Sequence, residues 1–261
     1  MFFLIKKIFL VLSKNIFKQM KLLKTIAFIV VTSTTTFGQS IITDRPDQTE
    51  SSSTISVNNL QIEAGLQYTE VPGSDELLAP SVLFRYGLID ILELRLVTEF
   101  TTIKNELTKK SINGLTDIQL GMKVQLLKKE GAPEIAFLSH VVIPTAKDAL
   151  SAQKTGVINK LSIAHNLFKK ISIGYNIGYD NFGEGSGNFT YSLAIGTSIS
   201  DKIGMYIEPF GEFTDFNKSI ANFDFGFTYL FNKNLQADIS YGTGLNNSMN
   251  YYSTGISYRI Q

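Results

Sequence analysis

The chain has 261 residues, of which 44% are hydrophobic and 18% charged, and its formal net charge is +1 at pH 7. This charge excludes a strongly basic nucleic-acid binder and an acidic disordered chain, and the absence of Cys excludes a disulfide scaffold, a thiolate metal site and a cysteine nucleophile. A mean hydropathy of +0.08, without a long apolar run after the N-terminus, leaves a buried all-β or α/β core or a membrane β-barrel.

The N-terminal region has the features of a secretory signal peptide. Two lysines precede a short apolar run over residues 25–31, and small residues stand at the −3 and −1 positions of a cleavage site after Gly38. We predict a signal peptide over residues 1–38, with Met20 as the favoured translation start. The alternative is an uncleaved anchor, which is disfavoured because the apolar run is shorter than the roughly 20 residues of a spanning helix.

The next stretch, residues 39–58, has no regular periodicity. Its central sequence, TDRPDQTESSST, includes Pro46, which prevents continuation of a regular helix or strand ladder. Three acidic residues surround Arg45, whose guanidinium can form bidentate pairs with carboxylates. We interpret the stretch either as a periplasmic plug or gate that packs in the interior of the following domain, or as a flexible lead-in. The plug or gate candidates are Asp44, Arg45, Asp47 and Glu50.

From Asn59 onward, apolar and polar residues alternate with a period of two, which indicates strands with two different faces. In residues 171–179, for example, every odd position is Ile or Tyr and every even position is Ser, Gly or Asn. Several segments reach the ~9–11 residues that a tilted strand needs to cross a bilayer. The twelve predicted strands are 59–69, 77–86, 91–104, 115–127, 133–144, 156–168, 171–182, 188–200, 203–213, 220–230, 235–242 and 251–260.

The connections alternate between short turns, such as 169–170, and longer polar links, such as 70–76 and 145–155, as in outer-membrane barrels. We therefore predict an all-β fold: a twelve-stranded antiparallel up-and-down transmembrane β-barrel over residues 59–261. The first strand, near Gln61, should pair with the last, near Ser257. A soluble β-sandwich or lipocalin-like barrel is the alternative, disfavoured because the polar face is rich in Gly, Ser and Thr instead of Lys and Glu.

The inward face of this barrel carries both acidic and basic residues. They could line a polar channel with opposed charges. They could instead form internal ion pairs that close the barrel, since twelve strands enclose less space than the roughly 16–18 of open porins. The predicted lumen-lining residues are Glu63, Arg85, Glu93, Arg95, Glu99, Asp117, Lys123, Glu208, Glu212 and Arg259.

Two short motifs carry a family resemblance. The sequence DRPDQTESS of Asp44–Ser52 and the closing GISYR of Gly255–Arg259 resemble the family named for a “putative meta-pathway of phenol degradation”. The resemblance covers most of the chain after the signal peptide. It implies an outer-membrane barrel, a transporter that passes aromatic or other hydrophobic compounds, and it supplies no catalytic residues. The chain departs from many outer-membrane barrels in ending with Ile260 and Gln261 instead of an aromatic residue.

An enzymatic function is not predicted. An outer-membrane phospholipase is also a twelve-stranded barrel, with a Ser–His–Asn site on its outer face, but only His140 and His165 could serve here. His140 falls on the inward face, and His165 falls outward near the short-turn end, away from the expected position of such a site. We predict no catalytic, metal or cofactor-binding residues and no cofactor.

Three functions are consistent with the sequence. The first is a passive outer-membrane channel or transporter for small solutes, hydrophobic or aromatic ones included. The second is a closed structural or surface-binding barrel without transport, which paired lumen charges and a docked Asp44–Glu50 segment would favour. The third is a lipid-acting enzyme. We expect a location in the Gram-negative outer membrane, and as partners outer-membrane lipid, an unidentified small permeant and the outer-membrane assembly machinery, but no nucleic acid.

Overall fold

The structure is a computed structural model that describes residues 41–168, 170–183 and 185–261. The predicted signal peptide lies outside these residues. The described residues form an antiparallel sheet of thirteen strands. They are β1 (Leu60–Val71), β2 (Ser74–Ile89), β3 (Leu92–Asn105), β4 (Ser111–Leu115), β5 (Ile118–Leu127), β6 (Glu134–Ile143), β7 (Gly156–Phe168), β8 (Ile171–Asn181), β9 (Asn188–Ser198), β10 (Ile203–Thr214), β11 (Lys218–Asn232), β12 (Leu235–Gly244) and β13 (Asn250–Ile260).

The sheet closes on itself as a barrel. Each strand pairs with its neighbours in sequence, except that β5 pairs with β3 and not with β4. Strand β1 also pairs with β13, where Gln61 lies opposite Arg259 and Glu63 lies opposite Ser257. Closure leaves no sheet edge between the first and last strands, which satisfies the backbone groups that lipid cannot hydrogen-bond. The predicted barrel and its closure between the first and last strands are confirmed.

Strands β4 and β5 together occupy one of the twelve positions in the wall. Both pair with β3: residues 100–104 of β3 lie opposite β4, and residues 92–97 lie opposite β5. The chain leaves the ladder between them at Thr116 and Asp117. The predicted strand 115–127 corresponds to β5, and β4 extends the same wall position beyond the break. The barrel therefore has twelve wall positions although thirteen strands are counted.

The connection between β1 and β2 differs from the prediction. Pro72 and Gly73 alone join these strands, and Gly73 has a positive φ of 86°, which suits a tight turn. The predicted link over 70–76 was wrong because the strands continue through polar residues, where apolar alternation gives no signal. The link between β6 and β7 is long, as predicted, and contains a 3-10 turn at Asp148–Leu150. No helix in the described ranges is long and apolar enough to cross a membrane.

The two faces of the wall are opposite to those of a soluble protein. Large apolar side chains are exposed on the outside, among them Leu94, Leu120 and Phe225, while Arg85 and Lys123 are the largest of the fully buried side chains. Among the described residues, 25 buried side chains are polar or charged and 8 are apolar. Charged groups are almost never buried in soluble proteins unless they are paired. An apolar exterior around a polar interior is the arrangement of a membrane barrel.

Candidate functional site

The barrel interior holds the chain segment that precedes β1. We call residues 41–58 the plug segment. It enters beneath β2, where Asn58 N donates to Gly87 O (2.8 Å), and a Cβ on Gly87 would collide with Ser56 O of the segment. From there its polar groups contact β1, β2, β3, β5, β6, β8, β9, β10, β12 and β13. The segment is thus bound to most of the wall.

One side of the plug segment faces three cations. The Asp44 carboxylate accepts from Arg95 Nη1 (2.7 Å) and Lys123 Nζ (2.9 and 3.0 Å), and it lies 3.2 Å from Arg85 Nη1. Ser51 N of the same segment donates to it as well (2.7 Å). Burial alone would raise the pKa of Asp44, but Arg85, Lys123 and Arg95 outweigh burial and hold this pKa well below its usual range. Asp44 is therefore a buried anion at neutral pH.

Two wall carboxylates complete this basic side. Arg85 donates to Glu63 (2.8 Å) and to both oxygens of Glu93 (2.8 and 3.0 Å), and Arg95 also donates to Glu93 (3.0 Å). The three wall cations are thus balanced by two wall carboxylates and by the carboxylates that the plug segment supplies. A buried charge cluster of this kind persists only when its groups are paired and hydrogen-bonded.

The opposite side of the plug segment faces carboxylates. Arg45 forms a bidentate pair with Asp238 of β12, through Nε (3.4 Å) and Nη2 (3.1 Å), and Nη2 also donates to Ser253 of β13 (2.9 Å). Gly65 and Gly255 lie opposite each other on β1 and β13, and a Cβ on either would collide with the Arg45 guanidinium. The paired glycines therefore leave the space that Arg45 occupies.

Glu208 of β10 binds the backbone of the plug segment. It accepts from Gln48 N (2.7 Å) and from the Thr49 hydroxyl, which also lies 2.7 Å from Ser192 Oγ of β9. Asp224 of β11 lies beside Glu208 and accepts from the Tyr251 hydroxyl. The strands β10–β12 thus form an acidic side. In the strand order, β13 and β1 in one direction and β6–β9 in the other separate them from the strands that carry Arg85, Arg95 and Lys123.

Arg45, Asp44 and Glu50 of the segment bind different groups of the barrel wall. The acidic residues do not pair with Arg45: Asp44 and Glu50 bind wall cations, and Arg45 binds a wall carboxylate. Arg45 and Asp238 are 193 positions apart in sequence, so local charge spacing could not identify this pair.

Asp47 is the plug carboxylate that faces the acidic side. Burial and then the negative charge of Glu208 raise the pKa of Asp47 well above its usual range. A carboxyl whose pKa is higher in the docked segment than in the undocked one binds its proton more tightly when docked. Docking therefore weakens as the pH rises from the ordinary pKa towards the raised pKa. Asp44 acts in the opposite sense, because its lowered pKa makes docking weaker as the pH falls below the ordinary value.

The substitution Asp47→Asn should therefore strengthen docking of the plug segment. The amide cannot ionise beside Glu208, so at pH 8 we expect the undocked population to fall roughly tenfold relative to the unmodified chain. Near pH 4 the difference between the two proteins should nearly vanish, because the raised pKa keeps Asp47 protonated in the docked segment. The population can be followed by the rate at which a cysteine at position 49 reacts with a maleimide. Asp90→Asn, in an exposed turn, is the control, and weaker docking of Asp47→Asn at pH 8 would contradict this assignment.

Two cavities of the barrel interior border the plug segment. One, of about 320 Å³, is bordered by Glu50 of the segment, by Arg95, His140 and Lys160, and by an apolar wall surface. The other, of about 250 Å³, is bordered by Gln48 of the segment and by residues of β7–β11, including Lys160, Asp180 and Glu212. Space for a small molecule therefore exists between the segment and the wall.

The remaining predicted lumen residues occupy other positions. Glu99 borders the larger cavity and accepts from Ser81 Oγ (2.8 Å), and Glu212 borders the smaller one and accepts from Asn188 (3.2 Å) and Thr214 (3.0 Å). Arg259 donates to the turn after β11, at Lys233 O and Asn234 Oδ1.

Asp117 lies in the break between β4 and β5 and binds the long link between β6 and β7. It accepts from the backbone of Thr145, Ala146 and Ala152 and from Ser151 Oγ, all at 2.9–3.0 Å. Its carboxylate therefore fastens this link to the barrel wall. The regular alternation used to assign its face does not continue through the break, so sequence periodicity was a poor guide to its contacts.

The two histidines have different surroundings. His140 points inward, as predicted; its Nε2 accepts from Arg95 Nε (3.0 Å) and its Nδ1 lies 3.0 Å from Gln119 Oε1. His165 packs edge-on against Tyr175. Within the described residues, no three His, Asp or Glu side chains are grouped so that they could hold a metal ion.

Sequence reasoning missed several residues of the site as partners of the plug segment. Asp238, Asn176 and Ser192 lie in predicted strands, but the sequence assigned no contact to them. Their inward register was available from the alternation. Their shared partner, the plug segment, could not be identified in this way, because its path through the barrel interior is not encoded in the alternation.

Comparisons with known proteins agree with this architecture. The chain is similar to an outer membrane channel from Pseudomonas putida F1, with 13% identity, 80% of this chain and 97% of that chain covered, and a TM-score of 0.64. It is also similar to the KdgM porin (10% identity, 76% and 99% covered, TM-score 0.53) and to the NanC porin (13% identity, 76% and 98% covered, TM-score 0.53). At these identities the likeness shows the fold, which is that of outer-membrane barrels. No curated protein matches the chain.

A family model identifies the chain itself. The model described as “Putative MetA-pathway of phenol degradation” matches residues 43–260. The match begins inside the plug segment and ends one residue before the chain does, so it includes both motifs on which the resemblance was based. The chain belongs to this family.

Proposed function

We propose that the protein is a passive channel of the outer membrane for small solutes, gated by the plug segment. The observation that carries the proposal is the way the segment is held in the interior. It is bound to the wall by hydrogen bonds and ion pairs, many of them formed by polar or charged wall side chains. Such a wall surface would be hydrated once the segment moved, whereas a permanently filled barrel could use well-packed apolar contacts at lower cost.

The cavities favour small solutes with an apolar part. Leu83, Val97, Leu138 and Ile158 border the larger cavity beside its charged residues. This lining is compatible with the hydrophobic or aromatic solutes that the family description suggests. Structural relatives that are described as channels and porins also support transport over an enzymatic function.

The docked segment also supports a second candidate, a closed structural or surface-binding barrel. Paired interior charges and a docked Asp44–Glu50 stretch are the features expected of that alternative. The two candidates differ in one respect: a gate must leave its docked position, and a structural filler must not.

Planar bilayer recordings with the purified full-length protein test the proposal. We expect discrete conductance steps, with transitions between a low-conductance state and a higher one as the segment undocks. A barrel that inserts but stays silent over a range of voltage, pH and salt would reject the channel and favour the closed barrel. Insertion can be verified independently by the difference in gel mobility between heated and unheated samples.

The same proposal includes export through a cleaved signal peptide and folding by the outer-membrane assembly machinery. The barrel fold supports an outer-membrane location. N-terminal sequencing of the protein isolated from membranes would test cleavage, and a mature N-terminus at Gln39 is the expected result. An N-terminus that retains residues 20–38 would favour the anchor.

A further inference from the structure

The most exposed acidic anchor of the plug segment is Glu50. Its carboxylate accepts from Arg95 Nη2 (2.9 Å) and lies 3.4 Å from Lys123 Nζ. The Glu50 side chain is 17% exposed, whereas the side chains of Asp44, Arg95 and Lys123 are between 0 and 2% exposed. Glu50 and Arg95 both border the 320 Å³ cavity. The ion pair between them can therefore be reached by a solute in that cavity.

The backbone of Glu50 is fixed separately from its side chain. Glu50 N donates to Asn176 Oδ1 (2.7 Å) and Glu50 O accepts from Asn176 Nδ2 (3.1 Å). Because this amide clamp holds the main chain, the carboxylate can rotate away from Arg95 without undocking the segment. Arg95 would still be held by Asp44 and Glu93, so its Nη2 would stay in place for another carboxylate.

A second cation borders the same cavity. Lys160 of β7 lies in the lining of both cavities. Within the described part of the chain, its ammonium group has no carboxylate within salt-bridge distance and no hydrogen bond. The carboxylates of Asp180 and Glu208 interact with Lys160 electrostatically, but neither is close enough to form an ion pair with it. The ammonium group can therefore still attract an anion in the cavity.

The cavity wall between these cations is apolar. Leu83 and Val97 are paired on β2 and β3, and Leu138 and Ile158 come from β6 and β7. Pockets for small molecules commonly combine an apolar lining with a few polar groups that fix orientation. The cavity thus offers cations to one end of a solute and a hydrocarbon surface to its body.

We propose that this cavity is a binding site for small carboxylates with an apolar body, which displace Glu50 from Arg95 and are attracted by Lys160. This inference rests on the proposed channel function and names the class of solute that the channel would select. In this site the Glu50 side chain acts as an internal competitor, because it presents to Arg95 the same chemical group as the solute.

Glu99 gives the cavity a competing preference. It also borders the space, and Ser81 is its hydrogen-bonding partner there. A solute with an ammonium group could bind Glu99 while leaving the pair of Glu50 and Arg95 intact. The comparison of a carboxylate with an amine of the same shape therefore separates the two modes of binding.

Titration calorimetry on the full-length protein in detergent tests the inference with three probes that share one ring. They are cyclohexanecarboxylate, cyclohexanecarboxamide and cyclohexylmethylamine. We expect the carboxylate to bind at least about tenfold more tightly than the amide or the amine, because charge-assisted hydrogen bonds to Arg95 are lost with the neutral probe. Equal binding of carboxylate and amide, or tighter binding of the amine, would overturn the proposal.

Two substitutions give effects of opposite sign. Glu50→Gln removes the charged competitor, so carboxylate affinity should rise roughly three- to tenfold, whereas Lys160→Gln should lower it by a similar factor. Glu130→Gln, in the exposed turn after β5, is the matched control and should change nothing. An unchanged or lower affinity in Glu50→Gln would overturn the assignment of Glu50. A silent bilayer recording together with this binding pattern would reject the channel but not the site.

Discussion

Replacing Asp44 with Ala should release the plug segment from the barrel wall. The substitution removes the carboxylate shared by Arg85, Arg95 and Lys123, and leaves these buried cations with too few partners. Removing one partner from a buried ion pair costs about 3–5 kcal/mol. We expect this cost to appear in docking of the segment, since the barrel ladder itself does not involve Asp44.

The chain lacks Cys, so a single cysteine can report on docking. Thr49 is buried against Glu208 and Ser192, and Thr49→Cys should react slowly with a maleimide. Adding Asp44→Ala should raise this rate roughly a hundredfold or more, with a matching increase in conductance. Asp90→Ala, in an exposed turn, is the control. Equal labelling rates with and without Asp44→Ala would show that the segment is not held by this cluster.

Replacing Arg45 with Ala should weaken docking on the acidic side by a similar amount. Asp238 has a side chain that is 0% exposed and is paired with Arg45, so the substitution leaves a buried carboxylate without its cation, at a cost of about 3–5 kcal/mol. Arg45→Lys should restore only part of the docking, because a lysine cannot reproduce the bidentate pair or reach Ser253 in the same geometry.

A double-mutant cycle separates this pair from general damage. Asp238→Asn removes the unpaired charge, so the double variant Arg45→Ala with Asp238→Asn should dock better than Arg45→Ala alone. The labelling rate of the cysteine at position 49 again gives the docked fraction. Additive effects of the two substitutions would show that Arg45 and Asp238 do not interact in the membrane-inserted protein.

The fold was predictable because the two faces of each wall strand lie in different surroundings. One face meets lipid and the other the polar interior, so the alternation in residues 171–179 is complete. The strand predicted there, 171–182, differs from β8 (Ile171–Asn181) by one residue. The prediction lost accuracy where both faces meet water. The polar extension of β2 to Ser74 and the separate strand Ser111–Leu115 lie in such places, where no apolar period marks a strand.

The candidate site was predictable only in part. The register assigned Glu63, Arg85, Glu93 and Lys123 to the interior, because each lies on the polar face of its strand. The pairing of those residues depends on which strands meet across the barrel and on the path of a segment without periodicity.

The two family motifs are in contact in the folded protein, which their positions in the sequence do not reveal. DRPDQTESS and GISYR stand at opposite ends of the chain, yet Arg45 of the first rests against Gly255 of the second. A glycine in a strand often marks a close approach by another chain segment, and this signal points to Gly255 and its neighbour Gly65. Identifying the approaching group as Arg45 required the closed barrel.

The claim that the plug segment is a gate is tested most directly by fastening it to the wall. The Thr49 and Ser192 hydroxyl oxygens are 2.7 Å apart, a separation compatible with a disulfide between cysteines at the two positions. In a bilayer, we expect the oxidised double variant Thr49→Cys with Ser192→Cys to stay in the low-conductance state, and a reducing agent to restore the transitions of the unmodified channel. If the oxidised and reduced proteins conduct alike, solutes pass without displacement of the segment, and the gating account is wrong.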